Sequence, residues 1–217
     1  MSKFAIGCGG VLLLLLIVGG VLVAGYNRLV GLDQGVNEKW AQVQTQYQRR
    51  ADLIGNLVNT VQGAADFEKS TLEAVTNARA SVGRVQLDPN NAPTDAAQLE
   101  QFQQAQGQLS NALSRLLLVV ENYPQLRANE NFQTLQAQIE GTENRIAVAR
   151  GDFNTVVKDY NIAVRRFPTA LFAGILGFQP RPFFQSQAGA ETAPAVKFNF
   201  RSPAPAATPA ATAAATP

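Results

Sequence analysis

The densest group of side chains able to bind anything lies between Arg49 and Asn59. Arg49, Arg50, Asp52, Asn56 and Asn59 interrupt an otherwise apolar helical pattern. Two adjacent guanidiniums, each a planar fork of N–H donors, suit the carboxylate of a partner or the phosphate of a lipid. A structural assignment competes with that one. Arg50 falls on the apolar seam of its own helix, where it would pair with an acid on a neighbouring helix and fix the register of a bundle. The pattern favours the structural role. Trp40, the only tryptophan, lies on the same seam and is a candidate register or docking residue.

Catalytic chemistry finds little to work with. The chain has no histidine and a single cysteine, Cys8, which excludes Cys/His metal sites and a disulfide within one chain. Diiron bundles need Glu-x-x-His repeats and fail for the same reason. Asp52, Glu68, Glu73, Glu140 and Glu143 are spaced as solvated helix faces and local pairs, the Glu68, Lys69, Glu73 group among them. The LDPNN run offers oxygen ligands without the carboxylate spacing or terminal Glu of a calcium loop. GCGG lies inside an apolar segment and opens no strand–turn–helix unit, so it cradles no phosphate. Neither an enzyme nor a bound cofactor or metal is expected. A formal charge of +2, with 16% charged residues and no basic cluster, argues against nucleic acid as a partner.

These residues must be positioned by helices. Val36, Trp40, Val43, Tyr47, Arg50, Ile54, Leu57, Val61 and Ala64 recur at steps of four and three, the seam of a bundle or coiled coil. That first helix is expected from about Tyr26 to Val61. A second segment runs to about Val85, with Val75, Ala78, Val82 and Val85 on its apolar side. LDPNNAPTD then forms a loop, with Thr94 or Asp95 capping the next helix. A third helix, 96–122, repeats Leu99, Phe102, Leu109, Leu113, Leu116, Val120 and Tyr123. A fourth, 129–167, places Phe132, Ile139, Ile146, Phe153, Tyr160 and Phe167 seven apart, beside a row of Leu135, Ala149, Val156 and Ala163. The expected fold is all-α: an N-terminal transmembrane helix followed by an elongated up-and-down bundle of four helical segments. The alternative joins the first two segments into one long kinked helix, because their seams share a phase across Gly63. It would give a three-helix bundle with a stalk.

No charge occurs between Lys3 and Arg28, and the segment is long enough to cross a bilayer. A cleaved signal peptide would need a better exit site than residues 21–25 supply, and in a lipoprotein the apolar run would precede Cys8, not follow it. A single-pass anchor is therefore expected. Gly9 and Gly20 share a face with Ala5 and Ala24 nearby, which would let transmembrane helices pack closely, but the ordinary glycine content of such helices is the favoured reading. Flanking charges, Lys3 and the amino terminus against Arg28 and Lys39, are nearly balanced; they tilt toward a cytoplasmic bundle and leave the side open. Residues 1–25 are thus assigned to the anchor, 26–184 to the bundle with a short C-terminal apolar segment, and 185–217 to an extended Ala/Pro/Thr-rich disordered tail. FPTALFAGILGF and PRPFF, ahead of that tail, either close one end of the bundle or rest on the membrane, with Phe172, Phe183 and Phe184 as interface residues. Sparse charge favours closure.

Several long motifs carry a resemblance. YNRLVGLDQGVNEKWAQVQTQYQRRADLI, NLVNTV, TLEAVTNARA, FPTALFAGILGF and PRPFF are similar to those of the LemA family of bacterial membrane-anchored proteins, over Tyr26 to about Phe200. One departure is Gly55, where the family usually has proline. The resemblance implies a helical bundle on one membrane anchor, with no established catalytic activity. The expected role is a non-enzymatic scaffold or adaptor at the bacterial cell membrane, working with the lipid bilayer, with envelope proteins and with copies of itself. The alternative is a regulatory or sensory subunit signalling along the anchor-to-bundle helix.

Overall fold

The computed structural model describes residues 2–63, 67–85 and 87–186, with side chains from Cys8 onward. The Ala/Pro/Thr-rich tail and Ala64 of the first seam lie outside the described residues. Every regular element among the described residues is helical, with no strand. The helices are α1 (Ser2–Gln62), α2 (Lys69–Arg84), α3 (Ala96–Val120), the single turn α4 (Pro124–Arg127) and α5 (Glu130–Arg165).

The apolar N-terminal segment and the first bundle helix are one element. The 61 residues of α1 run without a break, about 90 Å at 1.5 Å per residue. From Cys8 to Arg28 the side chains are almost all exposed, and Leu29 is the first buried one. This is one helix long and apolar enough to cross a membrane, near the N-terminus. From Leu29 onward every expected seam position up to Val61 is buried, Arg50 included.

The chain reverses between Gln62 and Lys69, so the long kinked helix does not form. Arg79 of α2 lies against Gly55 of α1, and Thr76 shares a cleft with Asn59, so α2 runs antiparallel to α1. Shared phase could not decide this. Two helices that each need an apolar stripe can agree in phase over a short stretch by accident.

Local chemistry sets the remaining ends. The Asp95 carboxylate accepts from the Ala97 N–H at 2.8 Å to start α3, and Pro124 opens α4 at a position needing no donor. Asn129 caps α5 by accepting from the N–H groups of Asn131 and Phe132 at 2.9 and 3.2 Å. The α5 seam is buried from Phe132 to Tyr160, but Phe167 is not on it. The helix ends at Arg165, Pro168 follows, and the Phe167 ring points outward.

The core divides into two clusters. The distal one gathers Ile54, Leu57 and Val61 of α1, Val75 of α2, Leu109, Leu113 and Leu116 of α3, and Phe132 and Ile139 of α5. The proximal one, nearer the apolar span, gathers Val36, Trp40, Val43 and Tyr47 with Leu99 and Phe102 of α3 and Phe153, Val157 and Tyr160 of α5. Here α2 is missing from the wall. Ala92 from the loop after α2, and Ala173 and Phe184 from the chain after α5, take its place.

Candidate functional site

Arg50 marks the boundary between the clusters. It is 2% exposed, and among the described residues it is the only charged side chain classed as buried. Its Nη1 donates to Glu143 Oε1 of α5 at 2.7 Å and to Ser110 Oγ of α3 at 3.1 Å. Its Nη2 donates to Gln106 Oε1 of α3, and its guanidinium lies 5.2 Å from the Tyr47 ring centroid. One cation therefore ties three helices at a single level, and any slip of α3 or α5 along α1 breaks those bonds. Burial pushes the Tyr47 hydroxyl above its ordinary pKa, against the pull of the Arg150 and Arg50 charges.

The other candidates do not join it. At 100° per residue Arg49 points elsewhere, to an exposed position beside Gly141 and Arg145 of α5. The two guanidiniums do not converge, so the paired binding site expected as one reading does not form. Asp52, Asn56 and Asn59 are exposed along the side of α1 facing α2, where with Arg79 they line a shallow cleft of about 370 Å³. Trp40 is 0% exposed. Its ring packs against Phe102, Phe153 and Phe184 at centroid distances of 6.0, 5.7 and 6.1 Å, and its Nε1 donates to the Asp88 carbonyl at 2.8 Å. It is a core residue and offers nothing to a docking partner.

The LDPNN loop is a lid over that tryptophan. The Asp88 carboxylate accepts from the Asn90 N–H and the Asn91 amide at 2.8 and 2.7 Å, and the Asn91 amide with the Asn90 N–H holds it below the usual carboxylate range. Asn37 of α1 accepts from the Ala92 N–H at 3.0 Å. The oxygens of Asp88 are thus engaged in shaping the loop and holding Trp40.

A strap, residues 178–184, closes the remaining side. The Asn154 amide donates to the Phe184 carbonyl at 3.0 Å and accepts from its N–H at 2.9 Å. Asn161 treats Arg181 in the same way, at 2.9 and 2.8 Å. The Arg181 guanidinium reaches Asp33 of α1 at 2.8 Å and the Ala92 carbonyl. Phe178 meets Tyr26, Arg181 meets Asp33 and Phe184 meets Trp40. Three strap residues thus match seven helix residues. Extended chain advances ~10 Å over three residues, and a helix ~10.5 Å over seven. Pro180 and Pro182 flank Arg181 and keep the strap from turning helical. Burial raises the Tyr160 pKa beside this junction; the Asp33 charge adds to the rise and Arg181 opposes it.

The interface candidates fare accordingly. Phe184 is buried on Trp40, and Phe172 is half-buried where a Cβ on Gly25 would come within 2.8 Å of its ring. Phe183 is exposed, but it sits next to Phe184 at the level of Trp40, roughly 20 Å along α1 from Gly25. Phe184 therefore belongs to the core, and Phe183 lies at the same level, away from the apolar span.

Sequence reasoning missed Asp33, Asn37, Asn154, Asn161 and Arg181. A signal was present for the asparagines. Asn is a poor helix former unless its amide has other work, and Asn154 and Asn161 repeat seven apart beside the Phe153 and Tyr160 seam.

A family model described as the LemA family matches residues 39–198. The chain is 26% identical over 190 residues to magnetosome protein MamQ 2 of Paramagnetospirillum magneticum, covering 79% of this chain and 68% of that protein. The same identity and coverage hold for magnetosome protein MamQ of Magnetospirillum gryphiswaldense. Protein LemA of Metamycoplasma hominis is 21% identical over 166 residues, covering 76% of this chain and 71% of that one.

Proposed function

This chain belongs to the LemA family, and we propose that it is a membrane-anchored, non-enzymatic scaffold or adaptor of the bacterial envelope that presents its bundle to partner proteins. The observation behind this reading is the unbroken α1. It makes the apolar span and the first wall of the bundle one rod, so the outer faces stand at a set height along it. Supporting it, the buried Arg50 and the mostly buried Arg181 are both engaged in holding elements together. Exposed apolar residues remain on the outer faces, with Leu118 on α3 and Val148 on α5.

The test is photo-crosslinking in native membranes from probes at Leu118 and Val148. Discrete adducts with envelope proteins are expected. Adducts with lipid alone, or none, from both faces would overturn the reading.

The same unbroken helix favours a second reading, a regulatory subunit whose span passes a signal to the bundle. Replacing residues 2–24 with an unrelated apolar helix separates the two. A scaffold keeps its crosslinks after the exchange; a relay stays in the membrane and loses its response.

A further inference from the structure

Between α5 and the strap the chain makes an elbow, residues 166–177, containing a short 3-10 turn at Thr169–Leu171. Thr169 fixes its start by donating to the Arg166 carbonyl at 2.6 Å. Gly177, at φ +84°, supplies the left-handed step that turns the chain into the strap. Phe172 and Ala173 face the bundle, Phe172 against Gly25. The other apolar residues face away: Phe167 is 76% exposed, Leu171 69% and Ile175 87%. A soluble surface seldom groups such residues without a partner to cover them.

Their position identifies the partner. The elbow touches α1 at Gly25 and Tyr26, where the exposed apolar helix gives way to the buried bundle helix at Leu29. Whatever solvent surrounds residues 8–24 ends at the level where the elbow's apolar side chains project. Charge fits the same assignment. Arg28, Arg165 and Arg166 are exposed around this end. No acid occurs before Asp33 on α1 or between Asp159 and Glu191, and Asp33 is paired with Arg181. Exposed apolar side chains beside exposed arginines, at the end of the apolar span, match an interface rich in anionic headgroups.

We propose that the elbow is a second membrane contact, a foot that inserts Phe167, Leu171 and Ile175 into the lipid interface while Arg28, Arg165 and Arg166 bind anionic headgroups. With the span as one attachment and the foot as another, the bundle is held from tilting and rotating on the bilayer. The proposal rests on α1 being a membrane anchor, and the experiment separates the two.

Nitroxide labels are placed singly at Leu15→Cys, Ile175→Cys and Val148→Cys in full-length Cys8→Ser protein, reconstituted in vesicles of phosphatidylcholine with or without about one third phosphatidylglycerol. Accessibility to oxygen and to a water-soluble nickel chelate reports depth. The foot predicts lipid-phase values at 15 and 175 and an aqueous value at 148. It also predicts deeper placement of 175 with phosphatidylglycerol, lost in Arg165→Gln/Arg166→Gln. An aqueous value at 175 with a lipid value at 15 overturns the foot and leaves the anchor standing. Aqueous values at both overturn the anchor reading itself. Equal depth at 175 in the two lipids overturns the headgroup assignment. Shielding of 175 from both reagents, with spin–spin broadening between copies, overturns the lipid assignment in favour of a second copy.

Discussion

The distal half of this bundle buries mostly aliphatic side chains and the proximal half gathers the aromatic ones, and the two are walled by different means. The distal half is walled by four helices, whose backbone hydrogen bonds are satisfied internally, so side-chain packing suffices to assemble it. In the proximal half α2 gives way to a loop and a strap, which lack internal ladders. Those segments must borrow hydrogen bonds from helix side chains, and Asn37, Asn154 and Asn161 provide them. A wall of irregular chain next to an apolar span requires polar residues on its helices; a wall of helices does not. The half nearest the apolar span is consequently the one whose stability depends on particular polar contacts.

Removing one core side chain from each half gives the largest effects. Trp40→Ala is expected to cost ~3–5 kcal/mol and Leu57→Ala ~2–5 kcal/mol, measured by denaturant unfolding. The contrast lies in hydrogen exchange. Trp40→Ala should deprotect residues 178–184, whereas Leu57→Ala should leave them as slow as in the parent. Equal deprotection would mean that the two halves are one cooperative unit.

Arg181→Ala comes next, at about 2–4 kcal/mol, because it strands Asp33 and the Ala92 carbonyl in a partly covered site. The strap amides should exchange faster while the distal helices keep their protection. Unchanged strap exchange would show that the asparagines hold the segment alone.

At the boundary between the halves, Glu143→Gln should cost no more than about 1 kcal/mol. The Glu143 side chain is 40% exposed, and Arg50 keeps Gln106 and Ser110. A loss of several kcal/mol would mean that Glu143 is the main partner of Arg50.

Alkaline pH should separate the halves in the same sense. Tyr47 and Tyr160, both in the proximal core, have pKa values raised above 10.0 by burial. The unfolded chain loses those protons first, so their contribution is full below pH ~10 and falls as pH rises toward the folded values. Proximal amides should lose protection before distal ones as pH climbs past 10; the reverse order would contradict the assignment.

The helices and most seams were legible because burial selects apolar side chains at helical spacing, and Trp40, Tyr47, Ile54 and Leu57 show it on α1. Arg50 was legible as a register residue because a lone cation on such a seam must find a partner. The strap was not. PRPFF carries no periodicity, and its apolar residues read equally well toward protein or lipid; only the level of Trp40 against Phe184 separates them. The α1–α2 reversal was hidden for another reason. Both helices carry stripes of one phase, and the difference lies in the wall each stripe meets, which no local pattern records.

The proximal core is closed within one chain by its own strap and loop, and Trp40, the sole tryptophan, reports on that closure directly. Full-length protein in lipid vesicles should show blue-shifted emission that is unchanged as the protein is diluted with lipid. Emission that moves red on dilution would show that another chain covers the ring, and red emission throughout would show that it is open to water; either result contradicts the closed bundle.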